Sequence, residues 1–233
     1  MSDQEKERIE EMGAFFDARA DGYDEHIRGY VFDEATFAHF YQTVASPIEE
    51  TDAPLRILDL GCGTGLELEA LFQRAPNAAI TGVDLSENML DLLRQKYRDH
   101  IDQITLIVDS YFIISFGQQT YDYVVSVMNN HHFFRETKLA LYRKIHAALK
   151  PSGKYIEGDA VTLEEMEADF LDEYNELIAD RPHAQDGVYH IDIPFAIETQ
   201  KSLLLEAGFK DFELLWQRDT TAVWNAAVYV VTD

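Results

Sequence analysis

The chain has one cysteine, Cys62, in 233 residues. A lone thiol excludes an intramolecular disulfide and a cysteine-built zinc site, and it suits a reducing compartment such as the cytoplasm. Long apolar runs are missing as well. No stretch approaches the roughly 18 residues a membrane span requires, and the N-terminal MSDQEKERIEEM is charged where a secretory signal would carry an apolar core. Basic residues are scarce: 19 Lys and Arg stand against 43 Asp and Glu, a formal net charge of -24. A field of that sign repels phosphate backbones and anionic lipid, so no nucleic-acid or membrane partner is expected, and the acidity reads as a solvated surface. Proline, glycine and serine never gather into a linker and no segment repeats, so the chain reads as a single structural domain.

What is present falls into three parts. Residues 1–50 read as helical, with Ile9, Met12, Phe15 and Phe16 spaced as one face, followed by the amphipathic YVFDEATFAHFYQTV. From Leu55 short apolar runs (RILDL, AITGVDL, ITLIV, YDYVVSV, GKYIEGD) alternate with amphipathic segments (LELEALFQRA, ENMLDLLRQKYR, ETKLALYRKIHAALK). That alternation predicts βαβ units and a mostly parallel sheet, an α/β fold. The last third holds the acidic helix LEEMEADFLDEYNELIA, the irregular RPHAQDGVYHIDIPF, and ETQKSLLLEAG with Gly208 as its C-terminal stop. FELLWQ and AVWNAAVYVVT are separated only by RDTT, too short for a parallel crossover, so they should pair antiparallel at one sheet edge.

The chemistry concentrates at LDLGCGTG, residues 58–65. Glycines between a strand and a helix permit positive φ and close ligand approach at a helix N-terminus, but a plain tight turn would use them too. Asp84, ending the next strand at about the twenty-residue spacing of a ribose-binding carboxylate, points to a nucleoside. Leu66 stands where the dinucleotide fingerprint G-x-G-x-x-G requires its third glycine, which argues against an NAD-dependent oxidoreductase.

Taken in order, LDLGCGTG, VDLSENML, YDYVVSVMNNHHF, LKPSGKYI and LLLEAGFKDFELLW resemble the class I S-adenosylmethionine-dependent methyltransferases of the small-molecule type, from about Phe15 to the terminus. The resemblance implies a Rossmann-like three-layer sandwich with a seven-stranded sheet whose last strand is antiparallel. An N-terminal helical lid (1–50) would precede the cofactor-binding domain (51–233). It implies S-adenosyl-L-methionine as cofactor, S-adenosyl-L-homocysteine as product, and a small-molecule acceptor of a methyl group on O, N or C. The enzyme would be a monomer or homodimer and would need no metal. Carried over residue by residue, Asp59, Gly61, Cys62, Gly63 and Gly65 fall on the loop at the methionine end. Asp84 falls on the ribose carboxylate, with Leu85 beside the adenine. Asp109 and Ser110 are alternatives for the adenine amino group, and Asn129 sits where cofactor and acceptor meet. FFDARADGYDEH resembles the closing segment, with Tyr23 reaching the cofactor carboxylate and Arg19 assisting; an ordinary helix end is the alternative.

His131 and His132 are candidate catalytic bases, or merely hydrogen-bond the sheet edge. Adjacent in sequence, they are expected to diverge and not to chelate one metal. Asn130, Tyr189 and His190 are candidate substrate contacts, while Trp216 and Trp224 read as sheet core. Two other readings stay open: a carboxy-S-adenosylmethionine synthase-like enzyme, which requires a cation near the methyl group, and a non-catalytic S-adenosylmethionine sensor.

Overall fold

A computed structural model describes residues 10–31, 33–179 and 189–229. Ile9 and residues 181–188 of the irregular segment, both used in the sequence reading, lie outside them. The N-terminal part is helical as expected. Helix α1 (Met12–Arg19) ends before Gly22, whose φ of 82° starts α2 (Tyr23–His26), which runs on as a π-turn over Ile27–Val31. Helix α3 (Glu34–Ala45) begins where Asp33 accepts the Thr36 N–H, a side-chain cap for an otherwise unpaired donor.

Five strand-forming runs then alternate with helices: β1 (Arg56–Leu60), α4 (Leu68–Arg74), β2 (Ala79–Asp84), α5 (Glu87–Lys96), β3 (Ile104–Val108), β4 (Tyr121–Val127), α6 (Arg135–Ala148) and β5 (Leu149–Ala160). Helix α7 (Glu167–Ile178) and helix α8 (Ile197–Ala207) precede the hairpin β6 (Asp211–Arg218) and β7 (Thr221–Ala227). Gly208, at φ 116°, ends α8 as predicted. The sheet order is β3-β2-β1-β4-β5-β7-β6, with β7 antiparallel to both β5 and β6 and the remaining pairs parallel. This is the seven-stranded sheet anticipated above.

Alternate residues of each strand feed opposite layers, as a pleated sheet requires. Ile57, Ile80, Val125, Ile156 and Val223 join Phe40, Val44, Leu71 and Leu90 on one face. Leu58, Val83, Val124, Tyr155 and Trp224 join Tyr142, Ile145, Leu203 and Leu204 on the other. Trp216 is only half buried, edge-on to Phe40 and His39. Strand order reverses between β1 and β4, and in open α/β sheets that reversal leaves a crevice beyond the carboxyl ends of the strands.

Helix α3 reaches β5 through Gly158, where an added Cβ would sit 2.8 Å from the Phe40 ring and 2.9 Å from Val44. Both neighbours are fully buried and have nowhere to go. Gly158→Ala is therefore expected to destabilise the fold by about 1–3 kcal/mol in denaturant unfolding; unchanged stability would mean that α3 does not pack on β5 as described.

Candidate functional site

Every strong sequence signal converges on the crevice at the β1/β4 reversal. The turn after β1 is built on positive φ: 68° at Gly61, 46° at Gly63 and 71° at Gly65. Gly61 has a second reason to lack a side chain, because a Cβ there would lie 2.5 Å from the Asn129 side chain. Gly63 faces open space. Asp84 ends β2, accepting the Gly63 N–H at 2.8 Å and the Ser86 N–H at 2.9 Å, one on each carboxylate oxygen. Burial raises its pKa, opposed by those backbone donors. Each oxygen keeps a further lone pair for a ligand.

A chamber with about 680 Å³ of space, the adjoining solvent included, lies in front of these groups. Gly61, Gly63, Asp84, Leu85, Ser110 and Asn129 line it, together with Tyr23 from α2. Met12, Phe16, Met89, Tyr111, Phe112 and Phe133 complete its apolar wall. Leu85 and Phe112 line the chamber with 42% and 37% of their surface exposed, leaving apolar area for a flat ring to cover. Tyr23 carries a pKa raised first by burial and then by Asp84, Glu67 and Asp24, so its hydroxyl remains a donor. Asn129 donates to the Leu60 carbonyl at 3.2 Å and accepts from the Tyr111 hydroxyl at 3.1 Å. Carboxylate, bare glycine and two apolar plates together are surroundings that suit a nucleoside.

The segment that closes this chamber is tied to it by polar contacts. Asp17 of α1 accepts the Ser86 hydroxyl, and Asp24 of α2 accepts both the Thr64 hydroxyl and the Lys96 ammonium. Beyond Phe16, Tyr23 and Met128, which border both spaces, a second chamber of about 1230 Å³ opens. Met128 holds a φ of 48°, costly for an L residue with a long side chain, at the junction of the two chambers.

His131 and His132 occupy a 3-10 turn (Asn130–His132) after β4, and both line the second chamber with His190 and Asp192. The expected divergence of the two histidines is not found. Their ring centroids are 4.0 Å apart, and the His131 carbonyl accepts the Ile193 N–H at 2.6 Å, which sets Asp192 beside a nitrogen of each ring. Asp192 Oδ1 lies 3.1 Å from His132 Nδ1 and 3.6 Å from His131 Nε2. Asp159, fully buried at the end of β5, holds His131 Nδ1 at 2.6 Å. Burial opposes the charge on His131, but the Asp159 carboxylate outweighs it and raises the imidazole pKa. Burial and the neighbouring histidines push His132 down and His190 to about 4. For Asp192 burial is outweighed by the His132 hydrogen bond and the histidine charges, so its carboxyl is held well below the usual range.

Several sequence-chosen residues do not reach either chamber. Asp59, Cys62 and Gly65 stand behind the loop: Asp59 is buried near Glu67, the Cys62 N–H bonds Val83, and the Gly65 carbonyl accepts from Tyr97. Of the adenine alternatives, Ser110 lines the chamber, while Asp109 turns back to accept the Ser110 N–H. Arg19 is not placed on the cofactor side. It borders the second chamber, stacked 3.7 Å over Phe15 and paired with Glu10 at 2.9 Å. Asn130 is fully buried, its amide committed to the Tyr155 hydroxyl and Glu157. Tyr189 packs with Ile191 and Tyr174 instead of lining the space. Sequence reasoning missed Asp159, whose place at a strand's carboxyl end was a usable signal, and Asp192, for which an irregular loop gave none.

A nucleoside chamber at the reversal point of this sheet, opening on a second chamber, defines a class I methyltransferase architecture. The methyltransferase domain family matches residues 57–153. An uncharacterised methyltransferase of Bacillus subtilis is 31% identical over 144 residues, 60% of this chain and 74% of that one. A crystal structure of a putative O-methyltransferase from Nostoc punctiforme superposes with a TM-score of 0.63 at 26% identity, over 81% of this chain and 56% of that one. Carboxy-S-adenosyl-L-methionine synthase of Campylobacter fetus is 25% identical over 70% of this chain and 72% of its own length. Against malonyl-[acyl-carrier protein] O-methyltransferases of Bacillus cytotoxicus and Priestia megaterium, the chain spans only 27% and 35% of the relatives' length. The chain belongs to the class I S-adenosylmethionine-dependent methyltransferases.

Asp84→Asn keeps the shape but removes the charge that two ribose hydroxyls would meet, and a hydrogen bond to a charged group contributes about 1.5–3 kcal/mol. Calorimetric titration with S-adenosylhomocysteine is expected to show at least about tenfold weaker binding; an unchanged affinity would remove Asp84 from the site.

Proposed function

We infer that this protein transfers the methyl group of S-adenosylmethionine to an oxygen or nitrogen of a small molecule seated in the second chamber. The carrying observation is that the two chambers share Phe16, Tyr23 and Met128, and that His131, His132, His190 and Asp192 line the far side of this border, with Asp159 behind His131. The cofactor supplies a methyl group already activated on a sulfonium, so the chain's own work is positioning, exclusion of water and handling of one proton. Asp84, Leu85, Phe112 and Asn129 hold the nucleoside end, and the Tyr23 hydroxyl meets the methionine end. The segment from α1 to α3 acts as the lid. The His131–Asp159 and His132–Asp192 pairs mark where a protic acceptor loses its proton.

A synthase acting on a carboxylated sulfonium would need a cation at the chamber border. Among the described lining residues the one guanidinium, Arg19, already bonds Glu10, so methyl transfer is the better supported reading.

A screen with radiolabelled methyl donor over hydroxyl, carboxyl and amine acceptors is expected to label a small molecule. Absence of transfer to every protic class would defeat the reading. On the acceptor so found, His131→Asn is expected to lower kcat by about 100-fold or more while S-adenosylhomocysteine affinity stays within about threefold. Parallel loss of both would make His131 a folding residue only.

A further inference from the structure

The cluster facing the second chamber has donor chemistry beyond proton transfer. His131 gives Nδ1 to Asp159 at 2.6 Å, which in the neutral ring leaves the lone pair on Nε2. His131 Nε2 lies 3.6 Å from the Asp192 carboxylate. The same Asp192 oxygen stands 3.1 Å from His132 Nδ1, and donor atoms of all three residues fall within 4.8 Å of one another. A proton on His132 Nδ1 bonds that oxygen, and a cation bound by all three groups would displace it. The spacing suits one: donors bound at about 2.0–2.2 Å in cis or tetrahedral positions lie about 3.0–3.4 Å apart.

Three further observations agree. A metal-bound imidazole characteristically gives its other ring nitrogen to a carboxylate, and Asp159, fully buried, does this for His131. The Asp159 oxygen is itself fixed by the Ala160 N–H at 2.8 Å, and its partner oxygen by the Asn130 N–H at 2.8 Å. The Asp192 side chain is 59% exposed and lines the chamber, so the cluster is open on the side where an acceptor would enter. Two imidazoles and one carboxylate with open positions are the donor set of first-row transition ions, in contrast to the all-oxygen shells of magnesium and calcium.

We propose that His131, His132 and Asp192 bind one divalent first-row transition-metal ion at the floor of the acceptor chamber, with its open positions available to an oxygen of the acceptor. The role rests on the methyl-transfer reading: an acceptor hydroxyl on the ion releases its proton to water, and its oxygen pair forms the new C–O bond. The C–S bond breaks as the C–O bond forms, its electrons staying on sulfur, so the sulfonium becomes a thioether. Acceptors with a second oxygen placed to chelate are the class such a site selects. His132 must let go of the Ile191 carbonyl, which now lies 3.2 Å from Nδ1, to complete the set.

The test uses untagged full-length protein, stripped with a chelator and titrated with Co²⁺ and Zn²⁺ by absorption spectroscopy and calorimetry. One ion per chain is expected, with a Co²⁺ d–d spectrum of mixed nitrogen and oxygen ligation. Asp192→Asn, whose half-exposed side chain makes misfolding a minor risk, should weaken binding at least about tenfold, and Asp159→Asn about 10–100-fold. Asp84→Asn should leave metal binding unchanged, so loss of nucleoside binding and loss of the ion are separable. Wild-type binding no tighter than that of Asp192→Asn, or a 1:1 complex unaffected by both carboxylate variants, would overturn the metal site. Stoichiometric binding with no S-adenosylhomocysteine affinity would instead overturn the methyl-transfer reading.

Discussion

The Asp84 carboxylate is the joint on which the rest of the site turns. One oxygen takes the N–H of Gly63 and so fixes the turn after β1; the other takes the N–H of Ser86 and so fixes the start of α5. Ser86 also caps α5 by accepting the Met89 N–H, and its hydroxyl reaches Asp17 of the lid. One buried acid thus couples glycine loop, helix and lid, and its remaining lone pairs face the chamber. Hydrogen bonds to a charged group are the stronger kind, and leaving such donors unpaired costs more than the bonds contribute. The loop's geometry is therefore set before any ligand arrives.

The second chamber is built by a different device. The turn after β4 is pinned to the strand-like stretch at Ile193 by the His131 carbonyl, and to β5 by Asp159. Phe15 stacks on His190 at 3.6 Å, and the His190 N–H reaches the Glu10 carbonyl at 3.0 Å, so the N-terminal segment also forms part of the wall of the second chamber. Opening of α1 would expose both chambers together.

The α/β class, the antiparallel hairpin and the cofactor side were legible because each rests on local pattern. Short apolar runs buried on both faces mark the strands, the RDTT connection forces the hairpin, and the LDLGCGTG turn is marked by the spacing of Asp84 at the end of the next strand. Leu66 packs into the core beside α4 and correctly set aside the dinucleotide reading. What could not be read is long-range. Nothing in NNHHF says that Asn130 turns inward to Tyr155 while the two imidazoles converge, because Asp192 comes from an irregular segment some sixty residues on. Arg19 looked like a cofactor ligand by position, and Glu10 claims it instead. Glycine-loop members Cys62 and Gly65 serve the turn, which a motif by itself cannot distinguish from contact.

If a sulfonium held in the first chamber presents its methyl group to the second, a crystal structure of the S-adenosylhomocysteine complex will show both ribose hydroxyls on Asp84, adenine between Leu85 and Phe112, and the sulfur at the border formed by Phe16, Tyr23 and Met128, facing His131 and Asp192. A nucleoside bound elsewhere, or a sulfur turned away from that border, would contradict it.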